Sequence, residues 1–320
     1  MNSRLDSKLF SPKERPLFLL AVVFSTAVWL AAVIGTVGIG ALVIGCLAFF
    51  VLAFHAVFLA HVRGNGVRVS RQQLPALYAR CEEIAHKLGL ERVPQVYLMQ
   101  HGGILNAFAT KLLSRRFVIV YSSLADACTD SRQLDFVIGH EIGHLAAGHL
   151  AWNAYLLPFH LLPWLGPAYS RAREYTCDRC GLAVVDSLEP ALRGLTVLSA
   201  GGRLAQEVNL EAFANQRLET GSFWMATAEL CMSHPYLCKR VAALQEVRQP
   251  GSIPVVRRNV LAYPLAPFLG FSVGGSSLIG IYIFILLLIG IPNFMAKTRE
   301  FEQQAAQQGQ HRTRVPPAQP

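Results

Sequence analysis

The sequence predicts a mainly α fold with a small β-sheet, joined to transmembrane helices. Three observations predict it. The hydrophobic fraction is 52% and the charged fraction 15%, too apolar for an ordinary soluble protein, and the excess sits at the two ends of the chain. Between the ends, apolar residues recur at helical spacing through much of residues 63–258. Three short runs within residues 93–121 read instead as strands, the last of them dense in β-branched residues.

Taken in order, residues 1–16 form a polar, basic segment that holds Arg4, Lys8, Lys13 and Arg15. Residues 17–60 contain no Asp, Glu, Lys or Arg. As a single helix they would run to about 66 Å, twice the bilayer core of about 30 Å. They are therefore expected to form two spans, 17–35 and 41–60, in a transmembrane hairpin over 17–62 that turns at Gly35, Gly38 and Gly40. A secretory signal is a poorer fit, since its apolar region runs to only about 7–15 residues. Residues 63–258 should form one folded domain. Leu74, Leu77, Tyr78, Cys81, Ile84, Ala85 and Leu88 lie on one face of a helix over 70–90. Strands follow at 93–99, 106–110 and 117–121, and Ser122 or Ser123 is placed to cap a short helix.

The next helix carries chemistry. Residues 140–144 read His-Glu-Ile-Gly-His, inside a run with apolar Phe136, Val137, Ile138, Ile142 and Leu145. One helical turn separates His140 from His144, so both imidazoles can reach one metal ion, with Glu141 beside them as general base. Solvated surface histidines would not explain the apolar flanks. A catalytic zinc takes a third protein ligand and leaves one position open. The extended motif that supplies a third His would need Gly at 147 and His at 150, and the chain has Ala147 and Leu150. His149 is expected to face away from His144 as a surface or cap residue. Downstream, Glu174 and Asp178 share a helix face. Glu174 could complete the ligands and Asp178 could accept a ring N–H from a ligand His. Alternatively, both sit on a surface helix, paired with Arg171, Arg173 and Arg179.

Four ordered elements resemble the membrane-bound zinc metallopeptidases of the HtpX type, which are related to the CAAX prenyl endopeptidases. They are His140-Glu141-x-x-His144 with Gly148-His149; Ser170-Arg171-x-x-Glu174-Tyr175-x-x-Asp178; Ser233-His234-Pro235 with Arg240; and Asn106-Ala107-Phe108-Ala109-Thr110. Cys177 stands where Ala is usual, and the interval 145–173 is too short for the transmembrane pair often found there. The resemblance implies a zincin-type catalytic domain with one Zn²⁺ per chain on His140, His144 and Glu174, and Glu141 as the base. It also implies His234 as oxyanion donor, Arg240 and Arg171 as supporting residues, and a sheet edge at Asn106, Ala107, Phe108 and Ala109 that binds peptide. The substrates it implies are polypeptides, in particular damaged or misassembled membrane proteins, and the setting is a bacterial inner membrane. A CAAX-type processing protease and a non-catalytic scaffold with a relic zinc site are the alternatives.

The remaining segments bear on setting. Residues 150–169 are apolar, with Trp152, Tyr155, Phe159, Trp164 and Tyr169, but Pro158 and Pro163 argue against a full span. An interfacial helix, a cover over the site, or an ordinary buried loop and helix would each fit. Residues 259–293 should form one span near 268–291 or a re-entrant pair, and 294–320 a disordered tail. Positive residues flank both ends of the hairpin and none lie at its tip, which puts the domain in the cytoplasm. The net charge of +9 fits contact with the anionic bilayer surface. No basic run exceeds two residues and no recognition motif is present, which excludes nucleic acid as a partner. The seven scattered cysteines fit a reducing compartment. Cys177 and Cys180 with Cys231 and Cys238 could form a second zinc site, but separately packed thiols are the default.

Overall fold

The computed structural model describes residues 5–36, 38–251 and 253–269. Two long helices come first, α1 (Glu14–Gly35) and α2 (Ile39–Asn65). Both are long and apolar enough to cross a membrane, with mean hydropathies of 2.6 and 2.7. Gly38, at φ +84°, supplies the left-handed backbone where the chain reverses between them. The helices overrun the apolar stretch at its outer ends, taking in Glu14, Arg15 and Arg63.

α2 runs directly into a small sheet. Its parts are β1 (Val67–Arg68), the helix α3 (Pro75–Lys87), then β2 (Gln95–Met99), β3 (Ala107–Leu112) and β4 (Arg115–Tyr121). The helix expected over 70–90 starts late because Leu74 is held at φ 60° and Pro75, which has no N–H to bond, opens the helix. The strand order is β1-β2-β4-β3. β2 runs parallel to β4 with Val96 opposite Val118, and β3 runs antiparallel to β4 with Ala107 opposite Val120. β3 is therefore an edge strand.

The rest is helical: α4 (Ser122–Ala127), α5 (Ser131–Ala146), α6 (His149–Trp152), α7 (Leu157–His160), α8 (Leu165–Val185), α9 (Leu188–Ala200), α10 (Gly202–Ala205), α11 (Leu210–Asn215), α12 (Phe223–Cys231), α13 (Leu237–Arg248) and α14 (Ala262–Leu269). The Asp130 side chain caps α5 by accepting from the Arg132 amide, and Gly148 at φ +78° ends its run. α5 is apolar nearly all round. Phe136, Val137, Ile138, Ile142 and Leu145 are all buried, so the helix lies within the core. Its closest partner is α8. A Cβ on Gly143 would lie 2.9 Å from Cys180 Cβ, closer than side chains tolerate, so glycine lets the two helices meet. That approach sets His140 and His144 against Glu174 and Asp178.

Two segments dock onto this body. Leu5 and Phe10 are buried in the same core as α5 and β4, and Arg179 donates to the Phe10 carbonyl. Residues 152–162 pack on α1 and α8, where Leu156, Phe159 and Tyr169 enclose Ala21. Trp29 of α1 donates to the Tyr155 carbonyl at 2.8 Å. The aromatic stretch is thus a collar that joins α1 to α8, and Leu150 and Asn153 from it also border the cleft described below. α14 packs on α12 through Ala226, Leu230, Ala262 and Ala266. Apart from its first residues, the span expected near 268–291 lies outside the described residues, as does the tail.

Candidate metal centre

His140 and His144 project from α5 toward Glu174 of α8. His140 Nε2 is 3.3 Å from Glu174 Oε2, and His144 Nε2 is 3.4 Å from Glu174 Oε1. The three ligand atoms lie within 4.8 Å of one another. Such distances are long for charge-assisted hydrogen bonds. They match the edge of about 3.3–3.4 Å of a tetrahedron built from zinc bonds of ~2.0–2.1 Å. Each ring also has its Nδ1 engaged elsewhere, which leaves both Nε2 atoms aimed at one point. The side chains fit a zinc ion.

The electrostatics agree. Burial alone would disfavour a charged His140, but the Asp178 and Glu174 carboxylates outweigh it and push its pKa up to about 10. Burial holds His144 below its ordinary value. Burial would also raise Glu174, yet the two imidazoles hold it well below the usual carboxylate range. The two carboxylates favour a proton on His140, and a divalent cation at the same point would displace it.

Asp178 accepts from His140 Nδ1 at 3.0 Å and is gripped by Arg240, whose Nε donates to Oδ2 at 2.9 Å and Nη2 to Oδ1 at 2.6 Å. Arg240 therefore orients Asp178. Its guanidinium is buried against that carboxylate, with Nη1 3.7 Å from Glu174 Oε2. The three arginines of α8 do not pair with Glu174. Arg171 donates to the Glu229 and Met232 carbonyls, Arg173 to Asn153 and Arg179 to Phe10. The alternative of a salt-bridged surface helix does not hold, because the Glu174 face is turned inward.

Glu141 is buried in the wall of the cleft. Burial raises its carboxyl to about 7, with a smaller push from Glu174, against the pull of His140 and a hydrogen bond from the Ala109 amide. Asn106, Ala107, Phe108 and Ala109 of the β3 edge line the same cleft, a space of about 310 Å³, with His140, Glu141, His144, Glu174 and His234. His234 follows α12 and is largely exposed, with Nε2 3.5 Å from Glu174 Oε1. The Ser233 hydroxyl lies 3.0 Å from its Nδ1 and can donate there, which leaves Nε2–H free to face the cleft. Among the described residues the four cysteines 177, 180, 231 and 238 form no shared metal group, and Cys231 donates to the Ala266 carbonyl instead.

His149 departs from its expected place. It is 3% exposed and its Nδ1 lies 3.0 Å from His144 Nδ1, so it faces His144 rather than solvent. Gly148 turns the chain back at the end of α5 and delivers the ring there. Its Nε2 lies 2.9 Å from Glu14 Oε1, at the start of α1. Glu14 was not among the residues singled out from the sequence. The one signal that could have found it is its position, an acid separated only by Arg15 from a long uncharged stretch.

Comparison with known proteins now decides the family. The family model for "Peptidase family M48" matches residues 71–162 and 158–248, more than half of the chain. The chain belongs to peptidase family M48. The family region thus takes in β2, β3 and β4, both helices that carry the candidate ligands and His234, and leaves out α1, α2 and β1. Similar curated proteins carry the names of metallopeptidases. A "Plastoglobule-localized metallopeptidase 48, chloroplastic" of Arabidopsis thaliana is 31% identical over 175 residues, covering 48% of each chain. The human "Metalloendopeptidase OMA1, mitochondrial" is 32% identical over 97 residues, 30% of this chain and 18% of that one. A "Protease HtpX homolog" of Streptococcus mutans is 22% identical over 302 residues, 76% of this chain and 100% of that one. The chain matches about half the length of the chloroplast relative and under a fifth of the human one. No solved structure matches it.

Proposed function

We propose that this protein is a membrane-anchored zinc endopeptidase that cleaves polypeptides, in particular damaged or misassembled membrane proteins. The observation that carries the reading is the convergence of His140 Nε2, His144 Nε2 and Glu174 on one point, in a cleft where Glu141 also stands. Zinc, when bound, supplies a Lewis acid for the scissile carbonyl and lowers the pKa of water. Glu141 takes the proton from the attacking water and passes it to the leaving amine, a role its place in the cleft wall beside His140 and His144 allows. His234 donates Nε2–H to the oxyanion as it develops. Asp178 fixes the tautomer of His140, and Arg240 fixes Asp178. Arg171 ties down the α12 carbonyls just before Ser233 and so steadies the turn that carries His234.

Substrate adds as a strand to the free edge of β3 at residues 106–109, a mode in which main-chain hydrogen bonds give affinity with little sequence demand. The setting supports membrane substrates. β3 leans on α2, where His55 Nε2 lies 3.1 Å from Thr110 Oγ1 and Phe58 meets Phe108. The helix hairpin spans a bacterial inner membrane with the catalytic body on the cytoplasmic side, as the bacterial HtpX-named relatives and the flanking positive residues support.

The test pairs metal content with turnover. Purified protein should hold one zinc per chain and cleave an unfolded protein substrate, and a chelator should abolish cleavage. Glu141→Gln should keep the zinc and lose about 10²–10⁴-fold in rate. Near-normal cleavage by a zinc-loaded Glu141→Gln protein would remove Glu141 from its role.

A further inference from the structure

The buried acid Glu14 and the buried His149 are not used by the chemistry above. Glu14 opens α1 yet is only 3% exposed, and both its carboxylate oxygens are engaged. Oε1 faces His149 Nε2 at 2.9 Å, and Oε2 accepts from the Thr176 hydroxyl of α8. Thr176 in turn accepts from the Ser11 amide at 2.9 Å. A carboxylate enclosed in this way costs several kcal/mol of desolvation unless its partners are fixed.

The contacts form a single proton-ordered line. His144 presents Nε2 to the centre, so its Nδ1 carries the hydrogen and donates to His149 Nδ1 at 3.0 Å. His149 Nδ1 is then the acceptor, and the Cys177 thiol 3.6 Å away can donate to the same atom. His149 must carry its own hydrogen on Nε2, which donates to Glu14. Every atom has one consistent role, and the line ends on an anion. His140 has the shorter version of the same arrangement, with Asp178 directly on its Nδ1.

We propose that Glu14 is a positioning residue of the metal centre, acting through His149 to fix the tautomer and ring orientation of His144. The inference rests on the metallopeptidase reading and deepens it. Glu14 lies outside the region matched by the family model, so the first membrane helix completes a site that the family region otherwise contains. Outer carboxylates of this kind raise the basicity of a ligand imidazole and hold its plane.

The experiment uses the full chain in detergent and measures zinc affinity by competition with a chelator, the visible spectrum of the cobalt-substituted protein, and the melting temperature of chelator-stripped protein. Glu14→Gln keeps the shape and removes the charge. Glu14→Asp keeps a negative charge at the helix start but withdraws it from His149. Both should weaken zinc binding about 10–100-fold and shift the cobalt spectrum. His149→Gln, which keeps a donor for Glu14 but has no ring to reach His144, should do the same. It reports on the relay even where a Glu14 variant does not fold. Combined with Glu14→Gln it should cost little more than either change alone. If Glu14 serves only the fold, the melting temperature will fall while zinc affinity stays within about twofold of wild type, and the proposal is overturned. Fully additive effects of the two variants would overturn it as well. A wild-type chain that binds no zinc would refute the metallopeptidase reading itself and this inference with it.

Discussion

At the scale of single residues, His234 separates chemistry from architecture. It is largely exposed, so its replacement by Ala should change stability by no more than about 0.5 kcal/mol. If it donates to the oxyanion, His234→Ala should nevertheless lower kcat by about 10²–10³-fold with zinc content unchanged. Steady-state kinetics on a defined peptide would show this, and a change confined to KM would assign it to binding alone. The other site residues differ in how far the sequence displayed them. His140, Glu141 and His144 lie within one helical turn, and Glu174 and Asp178 within another, so local periodicity alone aligns them. Which way the second pair faced was open until α8 was seen against α5. His149 was misjudged because helical geometry stops at Gly148, whose positive φ turns the chain back. Glu14 is an acid at a helix start, where the dipole favours one anyway. Nothing local links it to a histidine far along the chain.

At the scale of elements, the turn that carries His234 depends on how α12 is held. Glu229, near the end of α12, is almost fully buried between Lys239 of α13 and Arg258, at 2.6 and 2.9 Å. Burial raises its pKa, but the bonds and charges of Arg258 and Lys239 outweigh that and leave it below the ordinary carboxylate value. A depressed folded pKa gives stability that is present in full above the unfolded value of ~4.3 and is lost as pH falls through the folded one. Glu229→Gln should thus cost about 1.5–3 kcal/mol at neutral pH and much less in acid. Thermal melts of both proteins from pH 7 to pH 3 would show the gap closing, and a constant gap would contradict the linkage. The elements themselves were largely legible: the long helices from their apolar run, β4 from its β-branched run, α5 and α8 from periodicity. Residues 152–162 were not, because their apolar face packs on α1 and α8, which no local pattern names as its partners. The start of α3 shifted for a local reason, the strained Leu74 before Pro75.

At the scale of the whole molecule, both outer ends of the helix pair land on one folded body. Leu5 and Phe10 enter its core before α1, and β1 joins its sheet just after α2. A hairpin whose two ends share one body must keep them on the same side of a bilayer. Lys8, Lys13 and Arg15 on one flank and Arg63, Arg68 and Arg71 on the other are consistent with the cytoplasmic side proposed above. A reporter active only in the cytoplasm, fused after Gly66, should be active, and silence there would reverse the orientation. The same reporter after Gln310 should be silent if residues 268–291 cross once. An active one would mean that this segment turns back or lies on the surface.

The buried contact between Glu14 and His149 also orders events during synthesis, since 135 positions separate the two residues. At ~5–20 residues per second, the acid leaves the ribosome about 7–27 s before its histidine does. In that interval α1 and α2 have already been made and can enter the lipid, while the acid waits at the water boundary with its partners not yet translated. Glu14 thus reaches its partner only after both apolar helices are complete, so the relay behind His144 is closed late in synthesis.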